Sequence, residues 1–211
     1  MMTRAVRDAA NDEAVGILVQ PPAEAEQRAA PRQRTLYALG RLLVAGGQRV
    51  CTVRNLSPGG VGIELDAPPP VGTAVQIETR GLPLRAAEVC WVSDRAVGLT
   101  FVDTPAEELV RAAEATPRSP RFGYEGPVEL VTGAGLSECR AIDLGLGGIR
   151  VAGALPGAPG DALEVVIDAM LAVRGRLAWD RGDSFAIEFA APLSTRQLAG
   201  AIARWEATLT R

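Results

Sequence analysis

The sequence contains neither histidine nor lysine. Without histidine the chain lacks the commonest general base near neutral pH and the commonest metal ligand, which weighs against catalysis. Without lysine every basic residue is arginine, 22 in all. That uniformity says little by itself; where the arginines fall along the chain says more. Cysteine is scarce: Cys51, Cys90 and Cys139 are odd in number and none has CxxC spacing. Cys51 and Cys139 sit in apolar strands and read as small buried hydrophobes rather than ligands or nucleophiles. No apolar run approaches the roughly 18–20 residues that a membrane helix needs. Asp8, Asp12 and Glu13 ahead of a short apolar stretch at 14–19 do not make a signal peptide. The expectation is a cytoplasmic protein without membrane insertion.

What is present is an ordinary folding composition, 47% hydrophobic and 22% charged, with a net charge of −3. That balance argues against a general nucleic-acid polymer as partner. The arginines are unevenly spread. Residues 27–54 hold Arg28, Arg32, Arg34, Arg41, Arg49 and Arg54 and no acid. Residues 115–142 balance Arg118, Arg121 and Arg140 against Glu125, Glu129 and Glu138. The first half is expected to carry a local cationic entrance that the second lacks.

The two stretches correspond because the chain repeats itself. Asn55-Leu56-Ser57-Pro58-Gly59-Gly60 returns 88 residues later as Asp143-Leu144-Gly145-Leu146-Gly147-Gly148. The same spacing carries Cys51 to Cys139, Gly72 to Gly160, Trp91 to Trp179 and Phe101 to Phe189. Two domains of about 90 residues follow, each large enough for a modest core. The expected division is a tail over 1–26, a first domain over 27–116 with the complete polar motif, and a degenerate second domain over 117–211.

Within the first domain, short apolar runs at 36–44, 49–54, 60–65, 73–79, 84–92 and 96–102 read as strands, with glycine and proline clusters between them. Six short strands in so little chain suggest a closed barrel, because closure removes exposed edges. Thr104-Pro105-Ala106-Glu107 is a capping box that opens a helix to about residue 115. A second strand set follows at 128–132, 138–142, 148–151, 162–167, 171–179 and 184–189. Ser194 with Gln197 then caps a helix over 195–210, with Leu198, Ile202 and Trp205 on one side. The expected fold is mainly β: two six-stranded barrels in tandem, each followed by an α-helix.

Arg28-Ala29-Ala30-Pro31-Arg32 is an RxxxR segment, and Asn55-x-Ser57-x-x-Gly60 begins 23 residues beyond Arg32. Each part alone has a bland reading, a solvated linker and a hairpin turn. Together, in this order around one strand pair, they resemble the PilZ domain over roughly residues 27–115 and, more faintly, 117–210. The resemblance implies a barrel that binds cyclic di-GMP, with no metal or other cofactor. The residue chemistry suits that ligand. Guanidinium groups bond bidentately to guanine O6 and N7, stack on the base and neutralise phosphate. Arg28 and Arg32 lie on a segment able to fold over a docked ligand. Asn55 and Ser57 point the same way from an extended strand, and Gly60 permits close backbone approach. Arg34 and Arg54 are auxiliaries. Trp91 and Trp179, at matched positions, read as core or wall packing rather than a base-stacking platform.

The second copy departs from the pattern. Thr116 and Pro120 align with Arg28 and Arg32, Arg118 and Arg121 have RxxR spacing, and Gly145 replaces the serine. It is expected to bind the dinucleotide weakly or not at all, and to serve in packing, dimerisation or partner presentation. Three classes of function compete. The first is a non-catalytic cyclic di-GMP receptor with a downstream protein partner, whose outputs, by the resemblance, are motility, biofilm or cell-cycle control in a bacterium. The second is a ligand-independent adaptor. The third is an enzyme, which lacks histidine, metal-ligand spacing and a carboxylate pair; Asp66, Asp94 and Asp103 fall at turns. A homodimer is left open.

Overall fold

The structure, a computed structural model, describes residues 33–45, 47–102, 118–154 and 156–209, and for residues 33–36 the backbone only. Among these residues there are thirteen strands and one helix. Strands β1 (Gln33–Val44), β2 (Gly47–Ser57), β3 (Gly60–Glu64), β4 (Ala74–Thr79), β5 (Leu82–Ser93) and β6 (Ala96–Phe101) form a closed antiparallel barrel in the order β1-β2-β3-β6-β5-β4. It closes where Gly40 to Leu43 of β1 pair with Thr79 to Gln76 of β4.

Period-two alternation explains the closure. Val75 and Ile77 of β4 and Val97, Leu99 and Phe101 of β6 point inward, joined by Leu42, Cys51, Val53, Ile63 and Val89. The inward Thr79 satisfies its hydroxyl by donating to Leu39 O at 2.7 Å.

The second barrel repeats the first. Its strands are β7 (Phe122–Gly123), β8 (Pro127–Thr132), β9 (Gly135–Gly145), β10 (Gly148–Ala152), β11 (Ala162–Ile167), β12 (Leu171–Asp180) and β13 (Ser184–Phe189). β8, β9, β10, β13, β12 and β11 close in that order, with β7 added beside β9. Its core of Leu130, Ala141, Ile149, Val165, Leu177, Phe185 and Ile187 stands 88 residues beyond the matching positions of barrel one.

One difference is a split strand. β7 and β8 together occupy the place of the single β1. Between them Tyr124 turns inward under the helix α1 (Thr195–Leu209), its ring 5.7 Å from that of Trp205. Gly126 permits this, because a Cβ there would lie 2.6 Å from the Tyr124 ring.

α1 begins as its sequence predicts. Gln197 N donates to Ser194 Oγ at 3.2 Å, and Ser194 N donates to Gln197 Oε1 at 2.9 Å. Leu198, Ala201 and Ile202 are buried in the barrel-two core. Glu206 of the same helix reaches barrel one and accepts from Gln48 N at 3.3 Å. The side chain of Gln48 also bonds both backbone groups of Gly123. The start of β2 is therefore a point of contact between the barrels.

The helix expected to open at Thr104 and the tail over 1–26 lie outside the described residues. Among the described residues, no helix is long and apolar enough to cross a membrane. No group of three or more metal-ligating side chains is found among them either.

Candidate functional site

On β2, Cys51 and Val53 face the core. The pairing with β3 then steps from Val53↔Ile63 to Asn55↔Gly62, leaving Arg54 as an extra residue. This bulge re-aims the strand. Leu56 now packs against the core, and Arg54, Asn55 and Ser57 share the outer wall. β5 carries a matching irregularity: Val89 pairs with Leu99 and Trp91 with Gly98. Both bulges recur in barrel two.

Between the bulges, one row crosses four adjacent strands: Asn55, Gly62, Gly98 and Trp91. The two glycines lower the wall. A Cβ at Gly62 would lie 2.7 Å from Asn55 Nδ2, and one at Gly98 would lie 2.0 Å from Trp91 Nε1. The Asn55 amide and the Trp91 indole therefore lie against the wall over a glycine floor. The indole is 45% exposed, so it is a wall residue with an accessible surface and not a core residue.

The other expected site residues are placed unequally. Ser57 Oγ donates to Gly60 O at 3.1 Å. Gly60 has a packing reason of its own, since a Cβ there would lie 2.1 Å from Leu99 O. Arg54 joins Glu64 at 3.1 Å and stacks 4.3 Å above the ring of Tyr37, which is 73% exposed. For Arg34 only the backbone, within β1, is described; Arg28 and Arg32 lie outside the described residues.

The acid-free arginine stretch is partly neutralised by neighbouring strands. Arg41 pairs with Glu78 at 2.6 Å, and Arg49 donates to Ala67 O at 2.5 Å. A linear charge count misses Glu78 because it comes from β4; the Ala67 carbonyl, from the loop after β3, holds the Arg49 guanidinium without cancelling its charge.

In barrel two the equivalent row reads Asp143, Arg150, Ala186 and Trp179. Arg150 stands where Gly62 stands, and its guanidinium meets Asp143 Oδ2 at 2.7 Å. Arg121 bonds the other oxygen of the same carboxylate and donates to Gly148 O at 3.3 Å. The face that is lowered in barrel one is filled here by the chain itself. Nothing local in the sequence marks Gly62, Gly98 or Arg150, although the 88-residue repeat sets arginine against glycine at the first of these positions.

Among the described residues, three groups have displaced acidity. Burial pushes the Cys51 thiol up to about 12 and also raises Cys139. Burial, with help from Asp168 and against Arg204, pushes the Tyr124 phenol to about 12. None of the three is on the outer-wall row. Between barrel one and α1 lies a cavity of about 890 Å³ whose lining includes Thr52, Glu64, Arg95 and Arg196.

The architecture defines the class: a small antiparallel barrel with a polar outer-wall face, duplicated within one chain. The sequence profile described as the PilZ domain matches residues 26–115 and again 116–205, and the chain belongs to the PilZ domain family. Among solved structures, the PlzA protein of Borreliella burgdorferi in complex with c-di-GMP is 11% identical. That match covers 81% of this chain and 88% of that one, with a TM-score of 0.35. YcgR of Escherichia coli in complex with c-di-GMP is 18% identical, covering 83% and 89%, with a TM-score of 0.30. The PilZ domain of CeSA from a cellulose-synthesizing bacterium is 19% identical, covering 44% and 100%, with a TM-score of 0.32. No curated protein matches the chain in sequence.

Proposed function

We propose that this chain is a cyclic di-GMP receptor that binds its ligand on the outer wall of barrel one. The observation that carries the reading is the contrast between the two rows. Asn55, Gly62, Gly98 and Trp91 make a low face with an amide beside an indole, whereas Arg150 fills its counterpart. Contrary to the packing role expected from sequence, the exposed face of Trp91 would let a purine stack on it and bring its edge toward Asn55, whose amide both donates and accepts. Ser57 adds a hydroxyl on the same wall.

Family membership supports the ligand class. The RxxxR segment is within covalent reach, since β1 starts beside the motif at Gln33↔Leu56 and Thr35↔Asn55. Arg28 and Arg32 would close over the ligand from there and supply guanine and phosphate contacts. Arg34 and Arg54 would assist, Arg54 after release from Glu64. The role is recognition without catalysis. Ordering of the arm shifts a domain arrangement or exposes a surface for a downstream protein only if the ligand distinguishes the two states.

The competing adaptor reading gains from the ion pairs of Arg41 and Arg54, which leave the wall less cationic than its sequence. Calorimetric titration with cyclic di-GMP separates the two. Saturable heat that is lost in the Arg28→Ala/Arg32→Ala variant supports the receptor. Absence of heat well above micromolar ligand leaves the adaptor.

A further inference from the structure

Arg121, Phe122 and Gly123 are consecutive residues with three separate engagements. Arg121 bonds the Asp143 carboxylate and Gly148 O. Phe122 is fully buried in the barrel-two core. Gly123 bonds across to barrel one: its N–H donates to Gln48 Oε1 at 3.1 Å, and its carbonyl accepts from Gln48 Nε2. Side chains alternate along an extended segment, so the outer-wall clasp at Arg121 and the core anchor at Phe122 use opposite faces.

β7 has only two ladder pairs, Phe122↔Leu144 and Gly123↔Asp143. So short a strand has little hold of its own. In barrel one, β1 runs unbroken through the corresponding place and needs no such anchor. Asp143 supplies the reason for the clasp. Its side chain is only 15% exposed, so the carboxylate must be paired, and Arg121 and Arg150 take one oxygen each. Asn55, at the same place in barrel one, carries no charge and requires no such partner.

The geometry points to an internal latch. Arg121 and Arg150 clasp Asp143, close the barrel-two face, and by holding β7 fix the seat of Gln48 and with it the docking of the two barrels. Gln48 is well placed to transmit this, because its own N–H is held by Glu206 of α1. Gly47, at φ +141°, makes room for that carboxylate: a Cβ there would lie 2.1 Å from Glu206 Oε2.

The test is hydrogen exchange read by mass spectrometry on the full chain, comparing wild type with Arg121→Ala and Asp143→Asn. The second variant places the barrel-one residue in barrel two with little change of shape, and reads the latch if Arg121→Ala does not fold. Exchange should rise about tenfold or more in peptides spanning β7 and residues 47–50, while β11, β12 and β13 keep wild-type rates. Unchanged rates at 47–50 would overturn the latch. A uniform rise throughout barrel two would also overturn it, showing only a general loss of stability. No ligand enters the experiment, so its outcome is independent of the receptor reading.

Discussion

Cys51 and Cys90 lie in the same barrel in opposite surroundings. Cys51 is buried in the core and its thiol is pushed up to about 12 by burial. Cys90 is exposed at the β5 bulge, with Sγ 3.2 Å from Gly98 O. The thiolate is the reacting form, so an alkylating reagent at pH 8 should label Cys90 and spare Cys51 until denaturant is added. Peptide mass spectrometry checks this, and equal labelling of both in the native protein would contradict it. At this scale the sequence spoke clearly about side chains with chemistry of their own. Asn55 and Ser57 do share a wall, although a bulge as well as strand alternation puts them there. Gly62 and Gly98 were not legible, because a glycine acquires its role from what lies over it. That depends on registers between strands, which the bulges at Arg54 and Cys90 shift.

Among the elements, the strand runs and the Ser194–Gln197 cap were legible because alternation and capping are local properties. The ends were less so: β2 and β9 extend through glycine and polar residues that pair only because a neighbour is present. The split of β7 from β8 was not legible, since it depends on Tyr124 finding a place under α1. Leu130 of β8 is fully buried. Leu130→Ala should cost about 2–5 kcal/mol in urea unfolding. Val71→Ala, at a surface residue, should fall within about 0.5 kcal/mol of wild type. Similar losses for the two would contradict the core assignment.

For the whole molecule, the repeat made the duplication legible and the structure shows its asymmetry: barrel one presents a lowered face, and barrel two closes its own. The displaced groups also predict how stability responds to alkali. Cys51 and Tyr124 both hold their protons more tightly when folded, relative to ordinary values of 9.0 and 10.0. Their contributions are therefore complete below pH 9 and are lost as pH rises toward 12. The urea midpoint should fall across that window, and Cys51→Ala should flatten the fall between pH 9 and 10; an unchanged profile would contradict the burial of that thiol.

Ligand binding at barrel one depends, in this proposal, on its glycine floor. The direct measurement is a calorimetric cyclic di-GMP titration of wild type, Gly62→Arg and Gly59→Arg. Gly62→Arg copies the plug of barrel two, and a Cβ at Gly59 meets nothing within 4 Å. Binding at barrel one alone is expected in wild type and in Gly59→Arg. At least a hundredfold weaker binding is expected in Gly62→Arg with the fold intact by circular dichroism. Wild-type affinity in Gly62→Arg would contradict the proposal and place any ligand elsewhere on the molecule.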